Sequence, residues 1–236
     1  MWDIRYQELF WLFMLGNVSG VVVEGVWCLL KYGRWETHTV SMWEPFNIVY
    51  GIGLPVFYVC SSLLSGWHPA ARFLLLALAG SMVEYLCGLV IRLGIGMRAW
   101  DYREHTLNIQ GLISPFMAMV WGILGFGFDL LLYAPLKRML AYIDGSGWSV
   151  VCIGLTVFMV INFSFTAVCI IRWANRHRGK PAANRFSRWL DRHYPDRKMR
   201  RRFYYWYFLD EPEHITRSGR RRYRESFTAD NAQISK

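Results

Sequence analysis

The chain has 236 residues, of which 54% are hydrophobic and 17% aromatic, and its formal net charge is +10. Apolar runs of about 18 residues or more are typical of membrane spans, and a soluble domain does not need them. Composition therefore argues against a soluble domain and favours an all-α, polytopic membrane protein.

Five apolar segments predict membrane-spanning helices. In chain order they cover roughly residues 9–30, 48–64, 73–91, 112–132 and 150–171. The second is the weakest, because Pro55 interrupts it and serines blur its end. The first has no basic start and no small-residue cleavage site, so we expect a retained helix and not a cleaved signal. Residues 1–173 would form the transmembrane domain and residues 174–236 a cytoplasmic tail.

Three predicted spans contain a carboxylate four residues after a glycine. These carboxylates are Glu24, Glu84 and Asp129. A spacing of four puts glycine and carboxylate on one helix face, and small residues let helices approach closely. Because a charge in lipid costs about 2.5–3.5 kcal/mol, we expect each carboxylate to face another helix or an internal cavity. They are candidates for a transport site. The alternative is a structural tie between helices, and Asp129, near the outer end of its span, could instead reach water.

Two stretches of about 60 residues, at 9–66 and 70–135, resemble each other. The matched pairs are Gly20 and Gly80, Glu24 and Glu84, Trp43-Glu44 and Trp100-Asp101, Asn47 and Asn108, and Gly51 and Gly111. The pattern predicts a parallel internal repeat, with a site between the halves and the fifth span as an addition. We expect both asparagines to cap helix starts and both glycines to permit close backbone packing.

Two loops between the predicted spans carry the remaining candidate site residues. They are Trp43, Glu44, Asn47, Tyr50 and Gly51 in the first, and Trp100, Asp101, Tyr102, Asn108 and Gly111 in the second. These loops would be cytoplasmic gates or docking surfaces. The alternative is an interfacial belt in which Asp101 pairs with Arg98 or Arg103. His38 and His105 do not align, and no metal-ligand spacing or phosphate-binding loop occurs, so no cofactor is predicted.

The positive charge is concentrated in the tail. Of 27 Lys and Arg, 18 lie from Arg172 onward against 7 acidic residues, which gives this part a charge of +11. The side of the membrane that holds the tail also holds Lys31, Arg34 and Arg92. Because Lys and Arg are enriched in cytoplasmic loops, this side should be cytoplasmic. We expect a protein of the inner membrane with its N-terminus outside and its C-terminus inside.

Basic and aromatic residues in the tail suit an anionic membrane surface. The candidate lipid-binding residues are Arg185, Arg188, Arg200, Arg201, Arg202 and Trp206. Nucleic acid is a less favoured partner, because the tail directly follows a membrane helix. A second basic cluster lies at residues 217–224, and residues 228–236 are expected to be disordered.

The motifs resemble a family of bacterial multi-pass membrane proteins named for ABC-transporter permeases of type IV. The matching residues are Glu24, Pro45-Phe46, Tyr50-Gly51, Gly53, Glu84-Tyr85, Trp100-Asp101-Tyr102, Asn108, Gly111 and Trp121-Gly122. The resemblance covers about residues 16–130 and departs at Glu44, where glycine is expected, and at Asn47-Ile48. It implies a transporter-like membrane protein and supplies no substrate.

Together these features predict a permease-like transport component of unknown substrate. If an ATPase drives transport, it must be a separate chain touching the loops or tail, because this chain has no phosphate-binding loop. One alternative is a membrane enzyme using Glu24, Glu84, Asp101 and His105 as an acid–base cluster. Another is a regulatory scaffold that recruits partners through its tail. A homo-oligomer is compatible with the sequence.

Overall fold

The computed structural model describes residues 4–211, except 34, 36, 38–39, 44 and 145–146. Within this part the helices are α1 (Tyr6–Tyr32), α2 (Ile48–Leu63), α3 (Pro69–Ile95), α4 (Pro115–Gly127), α5 (Tyr133–Asp144), α6 (Ser149–His177), α7 (Arg185–His193) and α8 (Asp196–Arg202). A π-helical turn, Phe128–Leu132, joins α4 to α5. Two short strands, β1 (Met97–Arg98) and β2 (Tyr207–Phe208), pair with each other in antiparallel fashion.

Four of the described helical segments are long and apolar enough to cross a membrane. They are Tyr6–Leu30, Pro69–Ile95, Pro115–Ile143 and Ser149–His177. The protein is therefore a helical, multi-pass membrane protein. The second predicted span, α2, has 16 residues and contains Pro55. At 1.5 Å per residue it extends about 24 Å, less than the roughly 30 Å hydrocarbon core of a bilayer.

Local sequence signals set the helix boundaries next to the loops. Asn47 caps α2 through its side-chain oxygen, which accepts from the Val49 N–H. Ser114 caps α4 in the same way, and Pro115 follows at the first helical position, where a missing N–H does no harm. At the other ends, α1 and α3 stop at Gly33 and Gly96, both left-handed.

The first four membrane-embedded elements form two packed pairs. Helix α1 packs along α2, α3 packs along α4, and α2 joins the pairs by contacting α3. In each pair a glycine on the first helix receives an aromatic ring from the second. A Cβ at Gly20 would lie 2.5 Å from Tyr50, and one at Gly80 would lie 2.9 Å from Trp121. Glycine thus sets the close approach of both pairs.

The tail folds back against the loop that follows α3. We call residues 178–211 the tail layer; it contains α7, α8 and β2, and β2 pairs with β1 so that Met97 faces Phe208. Its buried side chains form a second core with the end of α6. The core residues are Met97, Cys169, Ile170, Trp173, Ala174, Leu190, Met199, Phe203, Trp206 and Phe208. The loop between α3 and α4 therefore packs between the membrane helices and the tail layer.

Candidate functional site

Glu84 lies buried on α3, with both carboxylate oxygens hydrogen-bonded; its exposed fraction is 5%. The Tyr102 hydroxyl donates to Oε1 at 2.8 Å, and the Trp121 indole N–H donates to Oε2 at 2.8 Å. Burial, together with the Glu84 carboxylate, raises the pKa of Tyr102 well above its usual range, so its hydroxyl remains a donor. One loop residue and one α4 residue thus converge on a carboxylate inside the membrane domain.

Glu24 is half-buried on α1 and contacts the start of α2. The Asn47 amide N–H donates to its Oε1 at 3.0 Å, while the Asn47 oxygen caps α2. A single side chain therefore fixes the helix start and binds the membrane carboxylate. The prediction that Asn47 lies at a helix start is confirmed.

Tyr50 lies between the two carboxylate sites. Its ring fills the space left by Gly20 and approaches the Trp121 ring at 5.3 Å between centroids. Trp121 in turn binds Glu84, so the rings connect the two helix pairs. We call the group of six residues the polar centre; it consists of Glu24, Asn47, Tyr50, Glu84, Tyr102 and Trp121.

Asp129 does not belong to the polar centre. It lies in the π-helical turn with its side chain 1% exposed, and it forms an ion pair with Arg72. Arg72 and Glu84 are twelve residues apart on α3, about 18 Å at 1.5 Å per residue. The alternative that Asp129 simply reaches water is wrong, because its side chain is buried and the partly buried Arg72 of α3 pairs with it.

Asp101 faces away from the membrane domain and towards the tail layer. It pairs with Arg103 at 2.8 Å and accepts from the Tyr207 hydroxyl at 2.5 Å. Burial alone would raise the pKa of Asp101, but the hydrogen bonds from Arg103 and Tyr207 hold it below its usual range. Burial and then the bond to Asp101 raise the pKa of Tyr207 to about 12. The adjacent residues Asp101 and Tyr102 thus connect the tail and Glu84.

Asn108 organises the second loop and does not cap a helix. Its amide donates to the His105 carbonyl at 2.9 Å, and its oxygen accepts from the Gly111 N–H at 2.9 Å. The prediction that it lies at a helix start is wrong: α4 begins later, after Ser114. Asn47 directly precedes α2, whereas Asn108 lies in an irregular turn before α4, so the two residues match in sequence but not in structure.

The two glycines matched in sequence both permit close packing, in different surroundings. Gly51 lies within α2, where a Cβ would collide with the Asn17 amide. Gly111 has a φ of +71°, and a Cβ there would lie 2.8 Å from an Asp101 oxygen. Beside it, the Trp100 indole N–H donates to the Leu112 carbonyl at 3.0 Å. Trp100 is thus a structural contact of the loop.

The first loop is held by α6 and the tail. Trp43 stacks on Phe165 at 5.0 Å between centroids, and its carbonyl accepts from the Asn162 amide at 2.9 Å. The Thr166 hydroxyl accepts from the Met42 N–H at 2.8 Å, and Arg202 donates to the Ser41 carbonyl at 2.8 Å. The candidate residues Glu44 and His38 lie outside the described residues.

The alternative acid–base cluster is not brought together around Glu84. His105 hydrogen-bonds to the Ser114 hydroxyl at 2.9 Å, and Asp101 bonds to Arg103 and Tyr207. Neither side chain hydrogen-bonds to Glu84. Among the described residues, no group of three His, Cys, Asp or Glu is arranged to hold a metal ion.

The family profile described as "Putative ABC-transporter type IV" matches residues 11–167, about two-thirds of the chain. The chain belongs to this family. No curated protein and no solved structure matches it. The matched region contains the whole polar centre and both loops, and it ends before the tail layer. Membership and the apolar helices make the chain a membrane protein related to transport.

The tail residues predicted to bind lipid have several different surroundings. Trp206 is buried at 8% exposure in the second core, so its predicted place on a lipid surface is wrong. Arg200 bonds to Glu211, and Arg202 binds the first loop. Arg185, Arg188 and Arg201 are exposed. The prediction for residues 217–236 lies outside the described residues.

Three residues outside the predicted site support it in the structure. Trp121 is part of the family motif, and its indole N–H binds Glu84. Asn162 and Thr166 on α6 hold the first loop. Their signal in the sequence is a pair of polar residues four apart within an apolar segment, the same spacing as in the glycine–carboxylate pairs.

Proposed function

We propose that this family member is a permease-like component of a membrane transporter, with the polar centre as its site for a polar substrate, ion or proton. The observation that supports this proposal is Glu84, a buried carboxylate in an apolar helix with neutral donors on both oxygens. Ionisable groups inside membrane helices are costly and commonly mark substrate or ion pathways. One donor, Tyr102, comes from a loop, so loop movement would change the surroundings of the carboxylate.

We further propose two repeated halves, α1–α2 and α3–α4, with the polar centre between them. Support comes from Gly20 against Tyr50 and Gly80 against Trp121, each glycine one turn before a carboxylate. In this arrangement α2 is a short fifth crossing. The excess of Lys and Arg at the tail end favours a cytoplasmic C-terminus and an outer N-terminus.

Energy would come from a separate ATPase that contacts the loops or the tail layer. The test is purification of the full chain through a C-terminal tag in mild detergent, followed by mass spectrometry of what copurifies. A stoichiometric nucleotide-binding ATPase supports the proposal. A homo-oligomer without an ATPase contradicts this part and favours an autonomous carrier, enzyme or scaffold.

The polar centre is tested by Glu84→Gln and Glu24→Gln in the purified complex and in cells whose own copy is deleted. We expect both variants to lose most of the stimulated ATPase activity and to fail in complementation. Glu104→Gln is the matched control, because Glu104 is an exposed acid of the second loop. Full activity in both glutamate variants would exclude the polar centre as a transport site.

A further inference from the structure

Helix α7 presents two parallel rows of side chains on its exposed side. Phe186, Trp189 and His193 stack in sequence, with centroid distances of 5.9 and 4.6 Å. Phe186 is 52% and Trp189 38% exposed. The second row is made of exposed arginines, Arg185, Arg188 and Arg192. Both rows follow the three- and four-residue spacing of one helix side.

The opposite side of α7 is anchored to the end of α6. Leu190 is buried in the second core, and Asp191 pairs with Arg172 at 2.7 Å and with Arg176 at 2.6 Å. The one acidic side chain of α7 is thus turned inward. Its outer side therefore carries a concentrated positive charge beside exposed aromatic rings.

The position of α7 places these rings next to the apolar part of α6. The Trp189 ring contacts Phe165 at 6.4 Å between centroids. Phe165 lies twelve residues before the end of α6, about 18 Å along the axis, and within the apolar segment that ends near residue 171. After leaving α6, the chain therefore turns back to the depth at which aromatic side chains of membrane proteins meet headgroups.

We propose that α7 lies on the cytoplasmic membrane surface, with Phe186 and Trp189 at the boundary of the acyl chains and the three arginines on anionic lipid headgroups. The depth of Trp189 favours lipid over a soluble partner, and the inward Asp191 leaves the outer charge complementary to phosphate. In this arrangement Phe186 and Trp189, and not Trp206, are the aromatic side chains in contact with lipid. The contact with lipid does not depend on a transport role, and its cytoplasmic side rests on the orientation proposed above.

Photo-crosslinking of the full chain tests this proposal. Phe186→p-benzoylphenylalanine is incorporated, and the protein is placed in nanodiscs of phosphatidylcholine alone or with about one-third phosphatidylglycerol. Arg197→p-benzoylphenylalanine is the matched control, because Arg197 is an exposed residue of α8. We expect several-fold more lipid adducts from position 186 than from 197, enriched in phosphatidylglycerol beyond its share of the lipid.

Neutralising the arginine row distinguishes the attraction of the arginines to anionic lipid from the insertion of the aromatic rings. With Arg185→Gln, Arg188→Gln and Arg192→Gln combined, lipid adducts at 186 should persist while phosphatidylglycerol enrichment is lost. These changes leave Leu190 and Asp191 intact, so α7 keeps its anchors. Adducts to protein or to a second copy, equal lipid yields at 186 and 197, or no phosphatidylglycerol enrichment in the unaltered chain would each overturn the proposal.

Discussion

Trp121 contributes to the protein through both its ring and its N–H. The ring packs on Tyr50 and fills the space at Gly80, while the N–H binds Glu84. A buried carboxylate that loses a donor keeps its desolvation cost without the compensating bond. The indole therefore stabilises the carboxylate and joins the two helix pairs.

Trp121→Phe should lower the free energy of unfolding by about 1.5–3 kcal/mol, the range for hydrogen bonds to charged groups. Thermal unfolding in one fixed detergent measures the effect. Trp67→Phe is the control, since Trp67 is 54% exposed. Equal midpoints for the two variants would show that the bond to Glu84 contributes little.

At the scale of elements, glycine determines how closely α3 and α4 approach. A methyl group at Gly80 would meet Trp121 at 2.9 Å, tighter than ordinary contact. Gly154 on α6 has no atom within 4 Å of the equivalent position. The same substitution therefore tests packing at one site and helix propensity alone at the other.

Gly80→Ala should destabilise the protein by about 1–3 kcal/mol through overpacking. Gly154→Ala should be neutral or stabilising by up to about 1 kcal/mol, because alanine favours the helix. Thermal unfolding of both variants under the same conditions provides the comparison. If Gly80→Ala unfolds at the same temperature as Gly154→Ala, the close approach is not required.

The attachment of α7 to α6 should weaken in acid. Hydrogen bonds from Arg172 and Arg176 lower the pKa of Asp191 to about 2 from 3.8. Because the folded-state pKa is depressed, the ion pairs contribute fully above 3.8, and their contribution is lost as the pH falls towards 2. The protection of the α7 amides against hydrogen exchange, taken relative to the intrinsic exchange rate at each pH, should fall over that window.

Asp191→Asn should remove this pH dependence and make α7 exchange faster at neutral pH. Asp196→Asn is the matched control, since Asp196 also pairs with Arg176 but its side chain is 57% exposed. Unchanged exchange in α7 of the Asp191 variant would contradict the assigned role of the ion pairs.

At the scale of the whole molecule, the tail layer and α6 contact both loops. Arg202 binds Ser41 in the first loop, and Tyr207 binds Asp101 in the second. All of these contacts lie at one end of the helical domain. The connection between α2 and α3 lies at the other end, where α2 finishes and α3 begins.

The proposed five-crossing topology predicts opposite accessibility at these two ends. A cysteine at exposed Ser65 (Ser65→Cys) should react with a membrane-impermeant thiol reagent in intact cells. A cysteine at exposed Glu104 (Glu104→Cys) should react only after permeabilisation. The unaltered chain supplies the background from its own cysteines. Labelling of both positions from the same side would rule out α2 as a complete crossing.

The sequence by itself determined the membrane class, the inward placement of Glu84, and the cap at Asn47. These features depend on apolar length and on spacing within one helix, which neighbouring residues fix. The weakness of the second span was also visible, since Pro55 and the short apolar run are local.

Only the tertiary structure decided which distant side chains and strands pair with each other. Asp129 pairs with Arg72, 57 positions earlier, and Met97 of β1 pairs with Phe208 of β2, 111 positions later. Trp206 is buried in the second core, to which α6 and the second loop also contribute residues, whereas Trp189 remains exposed. Composition shows that a segment is basic and aromatic. Which of its faces is covered depends on distant residues that only folding brings together.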